Sequence, residues 1–460
     1  MISDLVIFLH LKVRCVRIFN LLIIFFISIL CGQNKFVKIN SLDNDLIKDT
    51  LDTLINLNSN IALEYHLDSF SVDENWIQYQ AINNYKTIDT IFIKSTIDIR
   101  SNILNQIIRP YKNIPIENGF SKLGNTLNEK YYFLNDIPEY TLGLIDQSKL
   151  GAIIFLNPKF ESHFSGIFGV GKSGEKWDFT GEIDLHLENL FLTAGFFDIY
   201  WKRMDSLSQV IKFQINEPHP FGWNIGMQLD YHHEVVNGLY TINRKKGMFN
   251  FFSQWFNRVY LGYSSGEIYP TSTGDDLGYK KINFKTLNIE SIKDSRNDRF
   301  FPTRGIYYKF SFNSGIQQES EFFEGALDYS SFLPINSNIN LHFKSLTKGI
   351  YDFKNIIPKS RYYYFGGTST LRGYNEQQFK STQFQIFTFE GVFSSNPYFR
   401  AKGFFDHAIS GIGDDFNQYT GIGFGISQKT KQAVVELQYA LPLGDSVNNG
   451  SLHIKWLSRL

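Results

Sequence analysis

The run GIFGVGKS, Gly166 to Ser173, meets the phosphate-cradling pattern GxxxxGK[ST] at every fixed position. That pattern holds phosphate where a buried strand feeds a glycine loop whose N–H groups wrap the anion, and where a helix begins at the Lys-Ser pair. Beyond Ser173, however, Trp177, Phe179, Gly181, Ile183, Leu185 and Leu187 alternate with Asp178, Thr180, Glu182, Asp184 and His186. Alternation of period two is a strand with one apolar face, and Phe164 to Val170 is strand-like too. GKSGEK therefore reads as a hairpin loop, and neither a nucleotide nor any other cofactor is expected. The triplet His232, His233, Glu234 has metal-ligand residue types. Neighbours in a strand point to opposite faces, so these three cannot close on one ion by themselves. Paired acids at Asp414 and Asp415 fall in a predicted loop, and no spaced Ser/His/Asp set stands out, so an enzyme is not expected.

The elements that would position other chemistry follow from the ends and the composition. The chain has 460 residues, 45 basic and 45 acidic, with 44 Phe and 25 Tyr; the balanced charge points away from nucleic acid. Arg14 and Arg17 precede the apolar run LLIIFFISIL at 21–30, then Cys31-Gly32. The run is too short to span a bilayer and fits a secretory signal peptide over 1–32, so export is expected. Both cysteines, Cys15 and Cys31, lie in that leader, which leaves no thiol for a disulfide after it.

Residues 34–158 mix helix and strand signals. FVKIN (36–40) reads as a strand, LIKDTLDTLINL (46–57) as a helix, and strand-like runs follow near 61–70 and 75–82. A fuller unit comes next: a strand at 87–96, helices at 101–111 and 116–129, and strands at 131–146 and 150–158. Strand-helix-helix-strand-strand is a small α+β module, and the earlier segment reads as a shortened copy.

From 159 the helix signals stop and amphipathic strands recur. GWNIGMQLDYH (222–232) sets Trp223, Ile225, Met227, Leu229 and Tyr231 against Asn224, Gln228, Asp230 and His232. Sixteen such strands are predicted, near 161–170, 176–187, 190–201, 207–217, 222–234, 245–255, 257–268, 280–293, 305–315, 320–332, 337–351, 382–394, 398–410, 420–428, 432–442 and 450–460. An even count at this spacing suits a transmembrane barrel, although a soluble sandwich alternates in the same way. The export signal, the aromatic load and the lack of any apolar element to cover so many strands favour lipid. The expected fold is mainly β: a 16-stranded antiparallel transmembrane β-barrel at 159–460 behind small α+β modules.

The longest excursion lies between the eleventh and twelfth strands, at 352–381, and carries GGTSTLRGY in its second half. With the amino-terminal modules in the periplasm it would be an extracellular loop. That stretch resembles the loop motif of the BamA/TamA family of outer-membrane insertases and two-partner secretion transporters, through Leu371, Arg372, Gly373 and Tyr374. The resemblance implies that the loop folds back into the barrel and that Arg372 locks against acids of the next two strands, Glu390 and Asp406. A guanidinium in a narrow lumen needs a carboxylate, and its planar fork allows a bidentate bond that Lys cannot copy. IKDSRNDRFFPTRGIYY resembles the family's turn between the eighth and ninth strands, through Asp294, Arg296, Pro302 and Gly305. ELQYALPLG resembles the penultimate strand, 86–158 a POTRA (polypeptide-transport-associated) domain, and 34–85 a degenerate one. The last strand departs from the family pattern, carrying Leu457 and Leu460 beside Trp456 where a glycine and an aromatic terminus are usual.

The resemblance implies an outer-membrane protein, its POTRA-like region in the periplasm, that inserts or translocates client polypeptides. Its partners would be outer-membrane lipid, unfolded clients bound by strand addition, and periplasmic chaperones or lipoproteins. A dedicated two-partner-type secretion pore and a passive or structural channel are the alternatives.

Overall fold

The structure is a computed structural model that describes residues 36–58, 63–83, 87–114, 122–134, 136–145, 149–173, 176–205, 207–253 and 255–460. The expected leader at 1–32 lies outside them. The chain forms two compact units. One takes in the described residues of Met1–Phe92, Tyr111–Lys122 and Thr141–Ala152, the other those of Ile93–Pro110, Leu123–Tyr140 and Ile153–Leu460.

The amino-terminal strands are β1 (Phe36–Ile39), β2 (Leu63–Ser71), β3 (Trp76–Asn83), β4 (Thr87–Ser95), β5 (Glu139–Leu144) and β6 (Lys149–Leu156). They form two three-stranded sheets of matching order, β1-β3-β2 and β4-β6-β5. The first has one helix after its first strand, Asn44–Asn58, and the second has two, Ser101–Ile108 and Leu123–Lys130. These small α+β modules resemble POTRA units. Ile103, Ile107 and Ile108 are buried on one helix, and Leu123 and Leu127 on the other, the three-to-four spacing of an amphipathic face. The strand expected at 131–146 begins only at Glu139, because Tyr131 to Phe133 make a turn whose Leu134 bridges to Pro158. Part of the helix expected at 116–129 falls outside the described residues, and its described part runs Leu123–Lys130.

The barrel is closed by sixteen antiparallel strands. They are β7 (His163–Ser173), β8 (Lys176–Glu188), β9 (Phe196–Arg203), β10 (Gln209–Glu217), β11 (Gly226–Val236), β12 (Tyr240–Ser253), β13 (Asn257–Pro270) and β14 (Ile282–Asp294). The second half is β15 (Gly305–Gln317), β16 (Ser320–Pro334), β17 (Ile339–Asp352), β20 (Gln383–Asn396), β21 (Phe399–Ile412), β22 (Asp415–Lys429), β23 (Ala433–Pro442) and β24 (Ser451–Arg459). A two-stranded hairpin, β18 (Tyr363–Phe365) and β19 (Phe379–Ser381), belongs to the connection between β17 and β20.

Alternation sets the two faces, as the sequence requires. On β11, Leu229 is exposed outward while Gln228 is buried inward, and on β22 Phe424 and Ile426 are exposed while Ser427 is buried. The phosphate-pattern residues Gly166 to Ser173 pair along β8, strand on strand, and the loop itself falls at 174–175, outside the described residues. β9 begins at Phe196 and not at 190. Asn189, Leu192 and Ala194 all take positive φ, and the Asn189 side chain accepts a hydrogen bond from the Ala194 N–H at 3.0 Å, so an apolar run is spent on a turn.

The end at which the chain enters the barrel, beside His163, is called the near end and the opposite one the far end. Turns after even-numbered barrel strands lie at the near end, and the loop after β17, the eleventh, lies at the far end.

Candidate functional site

The long loop turns inward. Its hairpin β18-β19 sets Phe365 against Phe384, with ring centroids 4.9 Å apart, and Phe379 stacks on Tyr419 at 3.9 Å. Leu371 is fully buried in that cluster together with Ile386 and Ala408. This apolar seat brings the next residue to mid-barrel.

Arg372 there donates through Nε and Nη2 to the two oxygens of Asp406, each at 2.7 Å, a bidentate pair. Nη1 donates to Glu390 at 2.7 Å and to Gln438 at 3.0 Å. The guanidinium carbon lies 3.5 Å from the ring centre of Phe404. Asp406 is completely buried and accepts further bonds from the Arg372 backbone N–H and from the Thr388 hydroxyl. Glu390 also accepts from Lys402 and pairs with His342. Burial of these charges is tolerable because every carboxylate oxygen faces a donor.

Two glycines make the approach possible. Gly373 has φ of +91°, and a Cβ there would lie 2.6 Å from the Leu441 carbonyl carbon. On the facing strand a Cβ at Gly421 would meet the Arg372 carbonyl oxygen at 2.0 Å. Tyr374 completes the motif by donating to the Thr420 carbonyl at 3.2 Å. The structure thus brings together Leu371, Arg372, Gly373, Tyr374, Glu390 and Asp406.

A second anchor was not read from the sequence. Arg361, earlier in the loop, is buried and pairs with Glu324, which Arg244 contacts from the other side; its guanidinium lies 4.0 Å from the ring centre of Phe284. Gln438, Phe404, Thr388, Lys402 and Gly421 were missed as well. Their only signal was parity, since each falls on the lumen face or under the loop of a strand already assigned.

At the near end, Asp294 and Arg296 form another bidentate pair, at 2.9 and 2.6 Å. Pro302 lies in the connection before β15, and Gly305 opens that strand with φ of +107°; a Cβ there would meet the Ser295 carbonyl oxygen at 2.2 Å. Asp298 accepts from the N–H groups of Phe300 and Phe301 and from Lys429. Burial raises its carboxyl pKa, but the Lys429 ammonium and the two amides more than offset this, and the group sits below the usual range.

The sheet closes between β24 and β7. Among the described residues only Ser458↔Phe164 and Arg459↔His163 pair there, with one more bond from the Leu460 N–H to the Ser162 carbonyl. Other barrel neighbours share eight or more pairs. Trp456 and Leu457, expected on the seam strand, lie on β24 opposite Val435 and Val434 of β23, and the register pairs across the seam come from Ser458 and Arg459, with Leu460 adding the backbone bond. Inside the barrel is a cavity of about 930 Å³ lined by both charges, among them Lys212, Asp230, Glu234, Lys246, Glu290 and Lys309. His232 and Glu234 face this lumen, paired at 3.0 Å, while His233 bonds Asn243 on the other face. Among the described residues no group of three or more His, Cys, Asp or Glu is placed to hold a metal ion.

Residues 197–456, more than half of the chain, match the Omp85 superfamily domain. The chain belongs to the Omp85 superfamily. It is an outer-membrane barrel of that family, and solved structures share its fold. BamA from Haemophilus ducreyi lacking POTRA domains 1-3 is 12% identical, with 91% of this chain and 94% of that one covered, at a TM-score of 0.53. CdiB from Acinetobacter baumannii is 13% identical over 91% and 82% of the two chains, at 0.57, and CdiB from Escherichia coli 12% over 91% and 84%, at 0.56. No curated protein matches the sequence.

Proposed function

We propose that this Omp85 protein inserts or translocates client polypeptides at the outer membrane by parting the β24–β7 seam. The observation that carries this is the seam itself. A closed barrel has no free edge, and an edge that can template a client strand arises only where pairing is weakest. Among the described residues two register pairs hold that place, against thirteen between β15 and β16. The modules ahead of the barrel would receive an extended client by strand addition, which asks little of sequence. Arg372 would keep the loop seated in the lumen, holding β20, β21 and β23 as one wall while the seam moves. Client folding and lipid burial would supply the energy.

A dedicated two-partner-type secretion pore is the second reading, favoured by the charged lumen, which suits the passage of a polar chain better than an apolar plug would.

Depleting the protein and quantifying the outer-membrane and released proteomes tests both. A broad loss of other barrel proteins is expected for an insertase. Loss of one exported protein, with other barrels unchanged, would replace that reading with the second, and no loss of either kind would leave a passive channel.

A further inference from the structure

The turn between β14 and β15 starts halfway round the barrel from the seam, yet its tip touches both sides of it. Asp298 meets the last-strand side, bonding Lys429 at the end of β22 at 2.5 Å and lying 3.7 Å from the Arg459 guanidinium on β24. Arg299 meets the first-strand side, bonding Glu188 at the end of β8 at 2.5 Å and lying 3.7 Å from Glu161, just ahead of β7. Phe300 sits between them. Its ring is 4.9 Å from the Arg459 guanidinium carbon and 5.0 Å, edge to face, from the His163 ring. Arg459 and His163 are themselves a register pair of the seam.

The tip is stiff. Asp298 accepts from the N–H groups of Phe300 and Phe301, and the Asn297 side chain accepts from those of Thr303 and Arg304. Behind it, Arg400 donates to the Phe301 carbonyl at 2.8 Å with its guanidinium 3.4 Å from that ring's centre. A turn that only filled the mouth would need one wall. This one holds two walls through charges of opposite sign on adjacent residues.

We propose that residues 298–300 form a strap that fastens the seam at the near end, so that β24 and β7 cannot part until Asp298 or Arg299 lets go. The short ladder is thereby held by side chains that exchange partners more readily than a full set of strand bonds. The consequence for clients rests on the seam-opening reading above, but the fastening is read on the chain alone.

The test places Phe164→Cys and Ser458→Cys, a facing pair of the seam, in the full-length protein in native membranes. Facing residues lie within disulfide range, so oxidation closes the bond while the seam is shut. Asp298→Asn with Arg299→Gln is expected to slow closure roughly tenfold. Closure at the parental rate in the double variant, with the heat-modifiable mobility of a folded barrel retained, would overturn the strap. Should the double variant not fold, Asp298→Asn alone is read in the same way. Client assembly does not enter this measurement, so a negative depletion result leaves it standing, and the reverse holds too.

Discussion

Arg372 is the most demanding residue in the molecule. Removing one partner of a buried ion pair leaves the other charge uncompensated, which costs more than the pair itself contributes. Arg372→Ala should therefore destabilise the barrel by about 3–5 kcal/mol, seen as a lower temperature for loss of heat-modifiable mobility, while the sixteen-strand ladder still assembles. Arg372→Lys should recover only part of this, because an ammonium cannot serve Asp406 through two parallel bonds. Gly373→Ala tests the backbone. With φ of +91° and the Leu441 carbonyl carbon 2.6 Å from the added carbon, the loop tip should lift and become open to limited proteolysis near 371–374. Cleavage no faster than in the parent would show that the wall yields instead. The motif residues were legible as a string in the sequence. Their partners at Gln438 and Gly421 were not, because a glutamine and a glycine on an amphipathic strand look like any others.

At the scale of elements, the near-end turn carries a pH signature. Asp298 is held below the ordinary carboxylate range in the fold, so its contribution to stability is full above the unfolded value and is lost as pH falls through the folded one. Resistance to unfolding should be level from neutral pH to about 5 and decline below about 4, with a shallower decline in Asp298→Asn. Parallel curves for the two proteins would assign the acid loss to other carboxylates. Strand positions were well marked in the sequence by period-two alternation. Two local errors share one cause: the runs at 131–138 and 190–195 are apolar enough to read as strands, yet Tyr131–Phe133 and the positive-φ residues Asn189, Leu192 and Ala194 make them turns. Hydrophobicity reports burial or lipid contact, and it does not report chain direction.

For the whole molecule, stability should be uneven around the ring. Hydrogen exchange in detergent or lipid should be fastest in the β24 amides that face β7 and slowest between β15, β16 and β17, where the ladders are long. Uniform protection around the barrel would argue against a seam that parts. The sequence by itself determined the mainly β class, the number of strands, the polar and apolar face of each, and the loop motif that marks the family, because these are local or periodic properties that each segment carries alone. Only the tertiary structure decided that Arg361 seats the loop as a second anchor beside Arg372, that the last strand meets the first through Ser458 and Arg459, and that the turn at 298–300 reaches both flanks of that meeting. The contacts of the seam and of the turn join residues more than a hundred positions apart, and their side chains come within reach only once sixteen strands have closed into one ring.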